Sequence, residues 1–143
     1  MSIHQLSVFV ENKSGRLLSI TKILKEHSVD IRAFSIADTT DFGILRLIVD
    51  KPDEAREALK QAGFMVRLTA VIAVSIADHP GALADVLEIL SNNGISVEYA
   101  YAFITRRDQG AYVILRVEDN VKAARILQEN SIELLPASEV YAI

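Results

Sequence analysis

The stretch "ADHPGAL" occupies positions 77–83, and sixty-six residues earlier positions 11–17 read "ENKSGRL". Each follows an alternating apolar run and leads into a pattern rich in leucine and isoleucine. With Gly15 set on Gly81, Leu6, Val8 and Val10 fall on Ile72, Val74 and Ile76, and Asn12 falls on Asp78. Leu17, Ile20, Ile23 and Leu24 fall on Leu83, Val86, Ile89 and Leu90, and Val29 and Ile31 fall on Ile95 and Val97. Beyond this the offset becomes 68: Leu45, Leu47, Val49, Ala55 and Leu59 match Val113, Leu115, Val117, Ala123 and Leu127. The two extra residues fall near "TRRDQG", where a turn tolerates added length. The chain is an internal repeat.

Each copy reads β-α-β-β-α-β. Residues 3–10 alternate apolar and polar at period two, which suits a strand. Residues 14–27 place Leu17, Ile20, Ile23 and Leu24 along one helical stripe. A strand near 30–37, the turn "TTDFG" and a strand over 43–50 follow. Pro52 suits the first turn of a helix to about Ala62, Gly63 suits its end, and "FMVRL" is a fourth strand. The second copy repeats the order: strand 71–77, helix 80–92 stopped by Gly94, strand 96–105, turn 106–110, strand 111–118, helix 120–130 and strand 132–135. The tail "EVYAI" reads as a further short strand. The expected fold class is therefore α+β, two ferredoxin-like units with antiparallel sheets packed as a pseudo-twofold pair, spanning 1–68 and 69–143. No Gly, Pro or polar gap interrupts "FMVRLTAVIAVSI", which predicts one rigid body without a linker.

Composition narrows the classes of function. The chain has 143 residues, of which 50% are hydrophobic, enough for a core and too many for disorder. It has no cysteine, which removes disulfides, thiolate metal sites and thiol nucleophiles. The net charge of −4 comes from the second half: residues 1–68 carry ten Lys/Arg against nine Asp/Glu, and residues 69–143 five against ten. With no basic block, a backbone-driven nucleic-acid binder or a binder of anionic membranes is disfavoured. The N-terminus shows no signal-peptide pattern, and no apolar stretch reaches the ~18–20 residues of a membrane span. A cytoplasmic protein is expected.

The duplicated corner, the strand order and the unit length resemble the ACT domain, whose D/N-x-P-G-x-L corner follows the first strand. "DHPGAL" at 78–83 carries it, and "NKSGRL" at 12–17 carries it with serine in place of proline. The resemblance covers nearly the whole chain, twice, and implies a non-catalytic regulatory protein. In such proteins a small ligand, most often a free L-amino acid, sits between the corner of one domain and the second strand of its neighbour. Carried over by position, one site comprises Asn12, Ser14 and Gly15 with Ser96 and Val97. The other comprises Asp78, Pro80 and Gly81 with Asp30 and Ile31. Some serine-binding members have histidine where Val10 and Ile76 stand here, and asparagine where Asp30 and Ser96 stand, so serine is not favoured. The resemblance also implies a regulated enzyme as a partner. A homodimer is expected from the apolar composition, the aromatic strand 99–103 and the apolar C-terminal "VYAI", with a monomer as the alternative because the tandem already supplies one ACT–ACT contact; no cofactor or metal is expected.

Elementary chemistry supports the same corner. A helix N-terminus presents unpaired N–H groups and partial positive charge, a seat for a carboxylate. Glycine lets a ligand approach the backbone, and an aspartate can hold an α-ammonium. The rival account is plain: an Asp or Asn before a helix is a common N-cap, worth ~1 kcal/mol without any ligand. On that account the chain is an assembly module. A small ferredoxin-like hydrolase ranks last, since it needs an arginine in an anion cradle, and Arg16 has only Ala82 as its counterpart. His4, His27 and His79 stand in unlike contexts with no metal-ligand spacing. Tyr99, Tyr101 and Phe103 share one strand face, where interface or core packing suits this acidic half better than base stacking.

Overall fold

The period-two run at the start of the chain forms β1 (Ile3–Glu11), burying Leu6 and Val8 on one side. The computed structural model describes residues 2–11, 13–38, 41–103 and 110–142. After β1 come α1 (Arg16–Glu26), β2 (Ile31–Asp38), β3 (Phe42–Val49), α2 (Pro52–Gln61) and β4 (Met65–Ala77). The second copy continues with α3 (Ala82–Asn92), β5 (Val97–Ala102), β6 (Gly110–Val117), α4 (Asn120–Glu129), β7 (Glu133–Leu134) and α5 (Ala137–Ala142). Two of the expected elements differ. The fourth strand of the first copy and the first of the second are a single strand, β4. The tail forms the short helix α5, which buries Ala137 and Val140, rather than a strand. The turn expected at 106–110, the end of strand 96–105 and part of the turn at 38–42 lie outside the described residues.

The chain divides into two compact units, His4–Thr69 and, with residues 2–3, Ala70–Tyr141. In the first the strand order is β2-β3-β1-β4, all described pairings being antiparallel: Leu6 faces Leu47 and Glu11 faces Phe42 across β1 and β3. The helices α1 and α2 pack together. Their apolar stripes (Ile20, Leu24, Ala55 and Leu59) close on Leu6, Val8, Leu45, Leu47 and Val49 from one face of the sheet. In the second unit the order is β5-β6-β4-β7, again antiparallel. Here Val86, Leu90, Ala123, Ile126 and Leu127 from α3 and α4 close on Ile72, Val74, Val113, Leu115 and Val117. Each large side chain so buried is worth roughly 1.5–3 kcal/mol relative to exposure. Two layers and one core per unit satisfy a sheet that is apolar on its helix side.

All four long helices stop in the same way. The N–H of Val29, Phe64, Ile95 and Ile132 donates to the carbonyl of Leu24, Leu59, Leu90 and Leu127 at 2.9–3.0 Å. Each such pair also joins an apolar residue to a buried leucine, the usual companion of this cap. The residue before the donor has positive φ: 54° at Ser28, 92° at Gly63, 73° at Gly94 and 62° at Ser131. Each copy thus has glycine at one of its two stops and serine at the other. A non-glycine residue in this region carries strain of about 1 kcal/mol.

Candidate functional site

The corners are built by the strand-to-helix turn. Gly15 and Gly81 are the N-cap residues of α1 and α3, with φ of 82° and 90°, a left-handed conformation that favours glycine. A Cβ built on either meets nothing within 4 Å, so the backbone is open on that side. Among the described residues neither helix has a side-chain cap. The N-cap role considered for Asp78 is therefore not filled by its side chain. The exposed Asp78 carboxylate has no partner among the described residues. By contrast, Asp119 does cap α4: its Oδ1 accepts from the Lys122 N–H at 3.0 Å. At α3 the N–H of Ala82 donates to the His79 carbonyl at 3.3 Å. The N–H groups of Leu83 and Ala84 find no partner among the described residues, and these two donors carry the positive end of the helix dipole.

Beside this corner lies a cavity of about 470 Å³. Its apolar wall is Ile76, Ala82, Val86 and Ile132; its polar groups come from Ser75, His79, Asp85, Ser131 and Glu133. Ala77 and His79, the neighbours of Asp78, both line it. The Asp85 and Glu133 carboxylates have no partner among the described residues. The His79 Nδ1 donates to the Pro80 carbonyl at 3.0 Å and so braces the loop.

Corner one is smaller and differently charged. Its cavity, about 170 Å³, is lined by Val10, Glu11, Lys13, Arg16, Leu17, Ile36, Asp38, Gly43 and Leu45. Glu11 bonds Lys13 at 2.9 Å and lies 3.7 Å from Arg16. The Lys13 hydrogen bond, the Lys13 charge and the Arg16 charge together hold the Glu11 carboxyl below its usual range. Arg16, the arginine a phosphate-cradling hydrolase would need, faces this carboxylate instead. Asn12 lies outside the described residues; Ser14 and Gly15 are exposed at the turn.

The second-strand residues stand elsewhere in their own units. Register places Ile31 opposite Val49 and Asp38 opposite Gly43, so the start of β2 is at the far end of the sheet from Gly15. The Asp30 carboxylate holds Arg32 at 2.8 Å, and its N–H donates to Asp50 at 2.8 Å. Ile31 and Val97 pack against the cores of their units. Ser96 lines a cavity with Glu98, Glu118, Asp119 and Lys122. Within each unit, then, the corner and the second-strand start are not brought together. The cavity residues Asp85, Ser131 and Glu133 were not singled out in sequence. Asp85 had a signal, falling one turn after Gly81 on the helix that the corner opens.

Tyr99 and Tyr101 stack at 6.4 Å, and Phe103 meets Tyr112 edge-on at 5.9 Å. Tyr99 and Tyr101 pair with Arg116 and Ile114, on the face of the sheet opposite the helices. No group of three or more His, Cys, Asp or Glu residues placed to hold a metal occurs among the described residues. Among the described residues no helix is long and apolar enough to cross a membrane.

The whole chain, residues 1–143, matches the family model described as ACT domain pair. Among solved structures it is similar to protein BT0572 from Bacteroides thetaiotaomicron: 42% identity and a TM-score of 0.93, covering 100% of this chain and 98% of that one. It is similar in fold to the regulatory subunit of aspartate kinase from Thermus thermophilus in its ligand-free form, at 18% identity and a TM-score of 0.67, covering 88% and 91% of the two chains. The corresponding subunit from Thermus flavus gives 16% identity and a TM-score of 0.61, covering 90% and 93%. No curated protein matches.

Proposed function

This chain belongs to the ACT domain pair family, and on that premise we propose that it is a non-catalytic regulatory protein that binds a free L-amino acid. The observation that carries the reading is the corner at 78–83. There an uncapped helix N-terminus, an unpartnered aspartate and an open backbone at Gly81 adjoin a cavity of about 470 Å³. Asp78 holds the ammonium by a charge-assisted bond. The free N–H groups of Leu83 and Ala84 hold the carboxylate. The side chain enters between Ile76, Val86 and Ile132, with Asp85 and Glu133 at the polar side. Binding changes contacts with a second copy, forming a homodimer, or with an enzyme that the protein controls in the cytoplasm. The likeness in fold to aspartate kinase regulatory subunits supports the enzyme partner.

The test is titration calorimetry against the twenty amino acids, with Asp78→Ala in parallel. At least one is expected to bind at millimolar concentration or below, and Asp78→Ala is expected to weaken it by roughly 1.5–3 kcal/mol, the worth of a hydrogen bond to a charged group. Absence of any binding, or affinity untouched by Asp78→Ala, overturns the reading at this corner.

A further inference from the structure

The repeat builds one cavity twice and furnishes it differently each time. In the first copy Phe9, Glu11, Arg16, Phe42, Phe64 and Met65, with Gly63, enclose about 150 Å³. Carried through the repeat, at the offset of 66 before the turn and 68 after it, every one of these positions falls on a residue lining the 470 Å³ cavity of the second copy. Register agrees with the match: Glu11 faces Phe42 across the first sheet as Ala77 faces Gly110 across the second. Ser75 stands where the first copy has Phe9, Gly110 where it has Phe42, and Glu133 where it has Met65. Two aromatic rings and a thioether thus occupy what the second copy leaves to a hydroxyl, a hydrogen and a carboxylate.

The charges differ as well. In the first copy Glu11 bonds Lys13 and lies 3.7 Å from Arg16, and Ser19 donates to the Gly15 carbonyl at 2.9 Å. In the second copy Glu11 and Arg16 become Ala77 and Ala82, and Ser19 becomes Asp85. The Asp85 and Glu133 carboxylates have no partner among the described residues. No lysine or arginine is among the described residues lining the cavity. The half of the chain that carries it has five Lys/Arg against ten Asp/Glu, a field that draws cations in.

We propose that the chain holds one amino acid, in the cavity of its second copy alone, and that Glu133 selects one whose side chain is cationic. The site is the one argued above, and the carboxylates decide only what it prefers. With the ligand's ammonium on Asp78 and its carboxylate on the N–H groups of Leu83 and Ala84, its side chain runs along Ile76, Val86 and Ile132. The methylene stem of arginine or lysine suits that apolar wall, and its charged end meets Glu133 and Asp85 in charge-assisted hydrogen bonds. An acidic side chain meets like charge there and is rejected. In the first copy Phe9 and Phe42 narrow the same path, and the carboxylate at its side is already held by Lys13.

This inference rests on the amino-acid reading above, and its test separates the two. Calorimetry on the full chain compares the twenty amino acids with L-citrulline, which keeps the shape of arginine without its charge. L-arginine or L-lysine binds at one site per chain, and L-arginine binds about tenfold or more tightly than L-citrulline, the worth of a hydrogen bond to a charged group. Glu133→Gln removes that advantage and leaves L-citrulline affinity as it was. Ser75→Phe and Gly110→Phe each place the first copy's side chain in the second and abolish binding. A Cβ at 110 comes no closer than 3.5 Å to its neighbours, so circular dichroism stays as in wild type. Met65→Gln, in the first copy, changes nothing. If no amino acid binds, both readings fall. If a neutral or acidic amino acid binds more tightly than the cationic ones, or if Glu133→Gln leaves the preference for L-arginine over L-citrulline intact, the selection falls and the amino-acid reading stands. Two ligands per chain, or binding that survives both phenylalanine variants or is lost in Met65→Gln, overturns the single site.

Discussion

Two aspartates of one unit precede helices, and only one of them caps. Asp119 accepts the Lys122 N–H at 3.0 Å, whereas Asp78 leaves α3 without a side-chain cap. Replacing each by alanine separates a cap from a binding group. Asp119→Ala removes a bond to an otherwise orphaned donor and should cost about 1 kcal/mol, within the usual range of roughly 0.5–2 kcal/mol for an N-cap. Asp78→Ala removes an exposed carboxylate with no partner among the described residues. Surface changes of that kind stay within about 0.5 kcal/mol. Its charge near the positive end of α3 adds a few tenths of a kcal/mol at most, screened by salt. Guanidinium unfolding followed by circular dichroism, with both variants at the same ionic strength, measures the difference. The expected order is wild type close to Asp78→Ala, with Asp119→Ala clearly lower. Equal losses of about 1 kcal/mol from both variants would refute the reasoning, because Asp78 would then be a cap and its place in a binding corner would need no ligand.

Gly81→Val combines positive φ with a β-branched side chain and covers the open backbone, so amino-acid binding should vanish in calorimetry while unfolding shows a loss of at least about 1–2 kcal/mol. Gly81→Ala, with nothing within 4 Å of its Cβ, isolates the backbone part of that loss. Ser28→Gly and Ser131→Gly relieve positive φ of 54° and 62° at two helix stops. Each should stabilise the chain by a few tenths to about 1 kcal/mol in the same unfolding assay, the relieved strain being partly offset by glycine's entropy when unfolded.

The units and their cores were legible in sequence because both depend on periodicity. Leu6, Val8, Leu45 and Leu47 alternate, Ile20 and Leu24 recur at helical spacing, and all six are buried on the helix side of their unit. Pro52 and the glycines at 63 and 94 marked a helix start and two stops through local backbone chemistry alone. The ends of the helices near 27 and 130 were legible too, but not the left-handed turns at Ser28 and Ser131, since serine has no general preference for positive φ. There the conformation follows from the capping bonds to Leu24 and Leu127 and from burial of those leucines. The fusion of two strands into β4 was visible only as the absence of a break.

The corner was found from its residue types, but which of its groups are left unpaired is decided in three dimensions. From sequence, Asp78 had two readings, a ligand for an ammonium, which the duplicated corner favoured, and a helix cap; in the structure the N-cap position is taken by Gly81 and the Asp78 side chain makes no cap. Glu133 is remote from Asp78 in the chain, and no local pattern marks it as a neighbour. Antiparallel pairing of β7 with β4 at Ser75 carries it to the cavity. The tail "EVYAI" alternates well enough for a strand, yet Val140 is buried from a helix, because packing outweighs a weak local preference in six residues. What the amino-acid sequence determined by itself is whatever one residue's conformational range or a short period dictates: the repeat, the helices, the strands and the glycine corners. What only the tertiary structure decided is which groups meet and which remain unpaired, because those depend on register and burial among residues far apart in the chain.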